Sequence, residues 1–222
     1  MKVENKTEHD PTCDLDLPNA YMRWAIMAVE EVAGKHGVDI ILREAGLGHL
    51  VDNYPPPNMH MDGLKYADYS ALNAAILNFY GRAGKSFAMR VGRISARYSI
   101  QEESALFGFA GLALKLLPTH MQLKLGLQNM VNGFRKLAAQ KGQTLDLEIV
   151  EEPDKFKYVS RTCPNCNGKV SDAPMCWVFI GVLREGASFV TGGKEFEVRE
   201  TSCMAVGDDA CVFEISKTPL PK

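Results

Sequence analysis

A chain of 222 residues, 46% apolar and 23% charged, has enough apolar mass for a core of its own and the ordinary charge of a globular protein. Its formal net charge of -2 excludes a global electrostatic pull toward nucleic acid or an anionic membrane. The polar start MKVENKTEHDPTCDLD lacks the apolar stretch of a secretory signal, and the most apolar run, residues 105–117, has only 13 residues with a lysine inside, too short to span a bilayer. The expectation is a cytoplasmic protein with no membrane span and no nucleic-acid partner.

Residues 1–17 read as a flexible leader. Pro18 and Asn19 start a helix in which Met22, Ala25, Ile26, Val29, Val32 and Ala33 fall on one stripe of period 3.6. Gly34 and Gly37 end it, and residues 38–45 form a short second helix stopped by Gly46. The stretch from Gly46 to Gly63, with Pro55-Pro56-Pro57 inside, reads as a loop. Asp68 caps a third helix with Leu72, Ala75, Ile76 and Phe79 inward. Two further helical stretches follow, roughly 86–98 and 102–117, before Pro118. Thr119 caps a sixth, carrying Leu123, Leu127, Met130, Val131, Phe134 and Leu137.

The period then changes from 3.6 to 2. Leu145, Leu147 and Ile149 alternate with polar residues, as does KFKYVSR at 155–161, so two neighbouring antiparallel strands are expected on either side of the turn Glu-Glu-Pro-Asp. A cysteine-bearing loop, a helix over about 174–190, and two last strands around 196–202 and 211–216 complete the chain. The fold class is α+β: one continuous domain over 18–217, with a helical part (18–143) packed on a small antiparallel sheet (144–217).

Five of the six cysteines lie between Cys163 and Cys211. In a reducing compartment such clustering points to metal or redox chemistry rather than disulfides. Cys203 and Cys211 flank a tight turn, Cys176 begins a helix whose dipole favours a thiolate, and Glu200 adds a carboxylate. Three thiolates and one carboxylate suit tetrahedral zinc, and a full protein ligand set marks a structural ion. Two points stay open. Residues three apart on a regular strand face opposite sides, so Glu200 and Cys203 converge only if the strand bends or ends between them. Cys163 and Cys166 form a CxxC that either replaces Glu200 in the set or is a reducible pair. The bland alternative is a group of cysteines packed as small hydrophobes, and an iron–sulfur cluster is a further one whose usual compact spacing is absent. Cys13 reads as incidental.

The text E-x-x-C-x-A-x-G-x-x-x-C-x-F from Glu200 to Phe213, with the upstream CPxC and the Cys176-Trp177 pair followed by Gly181, resembles the C-terminal signature of the 4-vinyl-reductase domain family. The resemblance implies a fold similar to TRAPP trafficking subunits, with an apolar ligand cavity. In the family's aromatic-sensing members zinc is held by a Cys, then Glu-x-x-Cys, then a last Cys. Carried over by motif, these are Cys176, Glu200, Cys203 and Cys211. The sensors' ATPase and DNA-binding domains have no counterpart in this sequence, and no pocket residue is carried over.

Two nucleotide motifs are excluded. Gly84-Lys85-Ser86 lacks the P-loop's first glycine, since Phe79 holds that place, and Gly46 and Gly48 lack a third glycine at dinucleotide spacing. Arg82, Lys85, Arg90, Arg93 and Arg97 form a basic run, read first as a solvated face and second as a grip for ligand carboxylates. His60 and His120 are the histidines weighed for a pocket role. The leading functional reading is a zinc-stabilised, homodimeric protein that holds a hydrophobic or aromatic molecule as sensor or carrier and is not itself an enzyme. The alternative is an enzyme or accessory protein of chlorophyll or other tetrapyrrole metabolism, related to vinyl reductases. A structural or assembly role rests on fold analogy alone.

Overall fold

The computed structural model describes residues 2–103 and 116–221. The helices are α1 (Asn19–Glu44), α2 (Tyr66–Tyr80), α3 (Gly84–Glu103), α4 (Thr119–Ala139) and α5 (Trp177–Val190). The strands are β1 (Val3–Asn5), β2 (Leu147–Glu151), β3 (Lys155–Ser160), β4 (Lys169–Ser171), β5 (Phe196–Ser202) and β6 (Cys211–Pro219). The helix expected over 102–117 falls mostly on residues 104–115, outside the described ones. The rest is α+β, as the change of period implies.

The sequence punctuation acts where it stands. Gly34 sits at φ 74, ψ 171 inside α1, a conformation that only glycine adopts without strain, so α1 is two helices joined at a break. Met22, Ala25, Ile26 and Val29 are buried, and Val32 and Ala33 half-buried. Asp68 lies in the first turn of α2 rather than at its cap, where its carboxylate accepts the Lys65 N–H at 2.8 Å. Thr119 likewise opens α4, after Pro118.

β2, β3, β6 and β5 form, in that order, one antiparallel sheet. Cys211, Phe213 and Ile215 of β6 are buried and alternate with half-buried residues, so this inner strand turns one face to the core. Phe196 and Val198 continue that face on β5. The helices cover it. At their closest crossing α3 meets α5 through glycine: a Cβ added to Gly92 would lie 1.9 Å from the Val178 carbonyl oxygen, and one added to Gly181 would lie 2.1 Å from that of Met89.

The expected flexible leader is instead tied down. β1 pairs antiparallel with β4, a strand absent from the sequence reading. Lys6 donates its N–H to the Gly168 carbonyl at 2.8 Å, Lys169 Nζ reaches Asn5 Oδ1 at 2.6 Å, and Leu17 is buried. A strand of three residues is too short to show a period, which is why the sequence hides it. Its effect is to brace the cysteine-bearing loop from outside.

Candidate metal centre and adjoining cavity

Each cysteine reaches the centre from a different local structure. Cys176 is the residue before α5, and its carbonyl accepts the Ile180 N–H at 3.1 Å, so its sulfur sits at the positive end of the helix. Cys211 opens β6. Cys203 follows β5, where its N–H bonds Asp208 Oδ2 at 2.7 Å and closes a short loop through Gly207 at φ 99. That loop, with a turn of 3-10 helix at Met204–Val206, is longer than the tight turn expected between Cys203 and Cys211. The parity problem between Glu200 and Cys203 is resolved by the backbone: the pairing of β5 with β6 shifts register between Glu200 and Ser202, and the strand then ends.

Two groups of four side chains converge closely enough to hold an ion. Ligand atoms of Cys176, Glu200, Cys203 and Cys211 all lie within 4.8 Å of one another, and so do the sulfurs of Cys163, Cys166, Cys176 and Cys211. The four residues read from the sequence are therefore brought together, and the CxxC sulfurs form a second group with Cys176 and Cys211. Sulfur separations are 3.8 Å for Cys163–Cys176, 4.0 Å for Cys176–Cys203 and 3.9 Å for Cys176–Cys211. A zinc–sulfur bond of about 2.3 Å at the tetrahedral angle sets neighbouring sulfurs about 3.8 Å apart. The spacing suits direct coordination and is too tight for thiolates spread around a cube of iron and sulfide.

The electrostatics suit a cation. All five sulfurs are buried. The Cys163 and Cys203 thiols are pulled down by hydrogen bonds from Cys166 and its neighbours. Cys166, which shares its proton with Cys163, and Cys176, which is desolvated, are pushed up. Burial raises the Glu200 carboxyl to about 9, with the Cys203 thiolate adding to the effect. Glu200 Oε2 accepts the Cys176 N–H at 2.9 Å, whereas Oε1 is buried with no partner among the described residues. A dication would replace the shared protons and satisfy that oxygen.

A cavity of about 120 Å³ adjoins the centre, between the helices and the sheet. Its walls include Tyr21, Trp24, Tyr66, Met130, Phe134 and Phe179, and the loop residues Cys163, Pro164 and Asn165 close one side. Three lining atoms, Tyr21 Oη, Ser160 Oγ and Asn165 Oδ1, are buried and have no hydrogen-bond partner among the described residues. Sequence reasoning missed this set, because a tyrosine on a helix, a serine on a strand and an asparagine in a loop carry no pattern of their own. The basic run lies elsewhere. Arg93 makes a bidentate pair with Glu195 at 2.6 and 3.0 Å and bonds Glu185 at 2.8 Å, and Arg97 also bonds Glu185. The carboxylates that Arg93 and Arg97 grip thus come from the chain itself.

Residues 157–217 match the family model of the 4-vinyl-reductase domain, a span that holds all five clustered cysteines and Glu200. No curated protein sequence matches. Solved structures similar in fold include an oxygen-binding H-NOX domain related to soluble guanylate cyclases, at 19% identity over 90% of this chain and 94% of that one, TM-score 0.56. A mutant H-NOX of T. Tengcongensis follows at 17% identity over 92% and 100%, TM-score 0.61. A structure from a study of haem distortion in the H-NOX family gives 18% over 92% and 97%, TM-score 0.60. The fold likeness shown is to H-NOX domains, where the sequence resemblance leads to TRAPP subunits.

The third of these structures is a haem protein, and the cavity here, at about 120 Å³, does not suit that group. All five histidines, His60 and His120 among them, are exposed, and among the described residues no lysine or arginine lines the cavity. Residues 104–115 contain no histidine either, so the sequence offers the cavity no histidine as an axial ligand. Haemin added to the purified protein is expected to give no sharp Soret band of a histidine-ligated haem, and a stoichiometric one would reverse this reading.

Proposed function

We propose, from the premise that residues 157–217 are a 4-vinyl-reductase domain, that the protein holds a small aromatic molecule in the cavity, as a sensor or carrier, beside a structural zinc. The observation that carries the reading is the cavity itself. Its volume of about 120 Å³ is close to that of a cavity known to take benzene, and three polar atoms with no partner among the described residues stand in a mainly apolar wall. A single ring bearing one or two polar groups would match it. A tetrapyrrole has four such rings, and Arg93 and Arg97 are already paired, so the alternative of a tetrapyrrole enzyme is the weaker one. Native mass spectrometry of protein isolated without denaturation tests the reading. An adduct the size of a one-ring aromatic supports it, and a tetrapyrrole adduct favours the alternative.

Tyr21→Phe separates binding from folding. Removing a buried hydroxyl that has no partner among the described residues should stabilise the empty protein by about 1 kcal/mol, while weakening a hydroxylated ligand about tenfold. Thermal melts and ligand titrations of the variant check both signs. A variant that melts lower and binds equally well would show that Tyr21 Oη plays no part in the site.

The zinc would take no part in binding. A shell filled by protein donors leaves no position for a ligand, so the ion's role is to fix the start of α5 and the loops around it. Cobalt in place of zinc should show tetrahedral thiolate bands that stay unchanged when phenol is added. A clear shift would place the ligand on the metal. We also propose a homodimer, which light scattering at micromolar concentration tests. A monomer mass would refute it.

A further inference from the structure

We propose that the cysteine cluster is built for two zinc-class cations, bridged by the sulfurs of Cys176 and Cys211. The inference rests on the metal reading above and is independent of the ligand reading. Six donors converge, five thiolates and one carboxylate, and a tetrahedral ion takes four. A single ion in either group leaves the other two donors without a metal, although they converge on the same place.

The two groups of four share two members. Cys176 and Cys211 belong to both, which leaves Cys163 and Cys166 on one side and Glu200 and Cys203 on the other. That is the donor pattern of two tetrahedra joined along one edge. The shared edge, Cys176–Cys211, measures 3.9 Å. Short sulfur contacts run to both of those residues: Cys163–Cys176 at 3.8 Å, Cys176–Cys203 at 4.0 Å and Cys166–Cys211 at 3.3 Å. A thiolate sulfur has lone pairs enough to bridge two cations. Glu200 Oε1, buried and without a partner among the described residues, supplies the last terminal donor.

Charge agrees. Five thiolates and a carboxylate sum to about six negative charges, of which one dication offsets two and a pair offsets four. The Met204 N–H, 3.4 Å from Cys211 Sγ, and the N-terminus of α5 at Cys176 place positive dipoles at the two bridging sulfurs. The ions would divide the work. The one held by Glu200 and Cys203 ties the loop after β5 to α5. The one held by Cys163 and Cys166 ties down the loop whose Cys163, Pro164 and Asn165 line the cavity.

Elemental analysis of the full-length protein as isolated is expected to give two zinc ions per chain. With cadmium-113 in place of zinc, two resonances should appear, each split by the other through the bridging sulfurs. The double variant Cys163→Ser, Cys166→Ser should retain one ion, half the wild-type count. One ion per chain at saturation overturns the second site while leaving the first, and no bound metal overturns both. Two unsplit resonances remove the bridges, and iron with acid-labile sulfide replaces the zinc-class pair altogether. Should the double variant fail to fold, the wild-type count and the splitting decide the matter alone.

Discussion

Cys176→Ser is expected to strip the protein of metal and to leave it unfolded or only partly folded at room temperature. Cys176 stands in both groups of donors, at the junction of the cysteine loop, α5 and the sheet. Structural zinc contributes about 10–16 kcal/mol to the folding of small zinc modules. Whole domains have net stabilities of about 5–15 kcal/mol, so losing even a fraction of the metal's contribution exhausts the margin. Circular dichroism and elemental analysis on the same sample read the result. Cys13→Ser is the control, because Cys13 belongs to neither group of donors and should keep the full metal content. A folded, metal-replete Cys176→Ser protein would mean that the ion is held elsewhere.

Gly181→Ala should cost about 3 kcal/mol or more, without touching any proposed ligand. The added carbon would lie 2.1 Å from the Met89 carbonyl oxygen and 2.9 Å from the Arg93 nitrogen, and backbone atoms cannot swing aside as a side chain does. The only relief is to part α3 from α5, which breaks the packing that positions Cys176 and one cavity wall together. For a chain of this size each kcal/mol lowers the melting temperature by roughly 2–4 °C, so a drop of about 10 °C is expected. Gly92→Ala should behave alike, since it meets the Val178 carbonyl at 1.9 Å from the other side. Gly186→Ala, whose added carbon meets nothing within 4 Å, should be nearly silent. Equal melts for Gly181→Ala and Gly186→Ala would show that the crossing is looser than the backbone contacts imply.

What the sequence made legible followed from local rules. The break at Gly34, the pairing of β2 with β3 and of β5 with β6, and the helix after Cys176 all lie where glycine, period and turn residues put them. The convergence of Cys176, Glu200, Cys203 and Cys211 was legible only through family resemblance, because a register shift in β5 reverses what regular strand geometry implies. Long-range pairings stayed hidden. Nothing within MKVENK says that Val3 faces Ser171, and nothing within CPNC says that its sulfurs meet those of Cys176 and Cys211 across the chain. The cavity was hidden for the same reason: Tyr21, Ser160 and Asn165 acquire meaning only when α1, β3 and the cysteine loop are brought face to face.

Titration calorimetry of phenol into the zinc-loaded protein tests the central reading, a cavity shaped for one polar aromatic ring. At about 1 kcal/mol per non-hydrogen atom, the seven such atoms of phenol give a dissociation constant on the order of 10 μM. Saturable heat at one molecule per chain in that range, lost when a bulky side chain replaces Met130 in the cavity wall, is the expected result. No saturable heat for phenol or its ring-substituted analogues would contradict it.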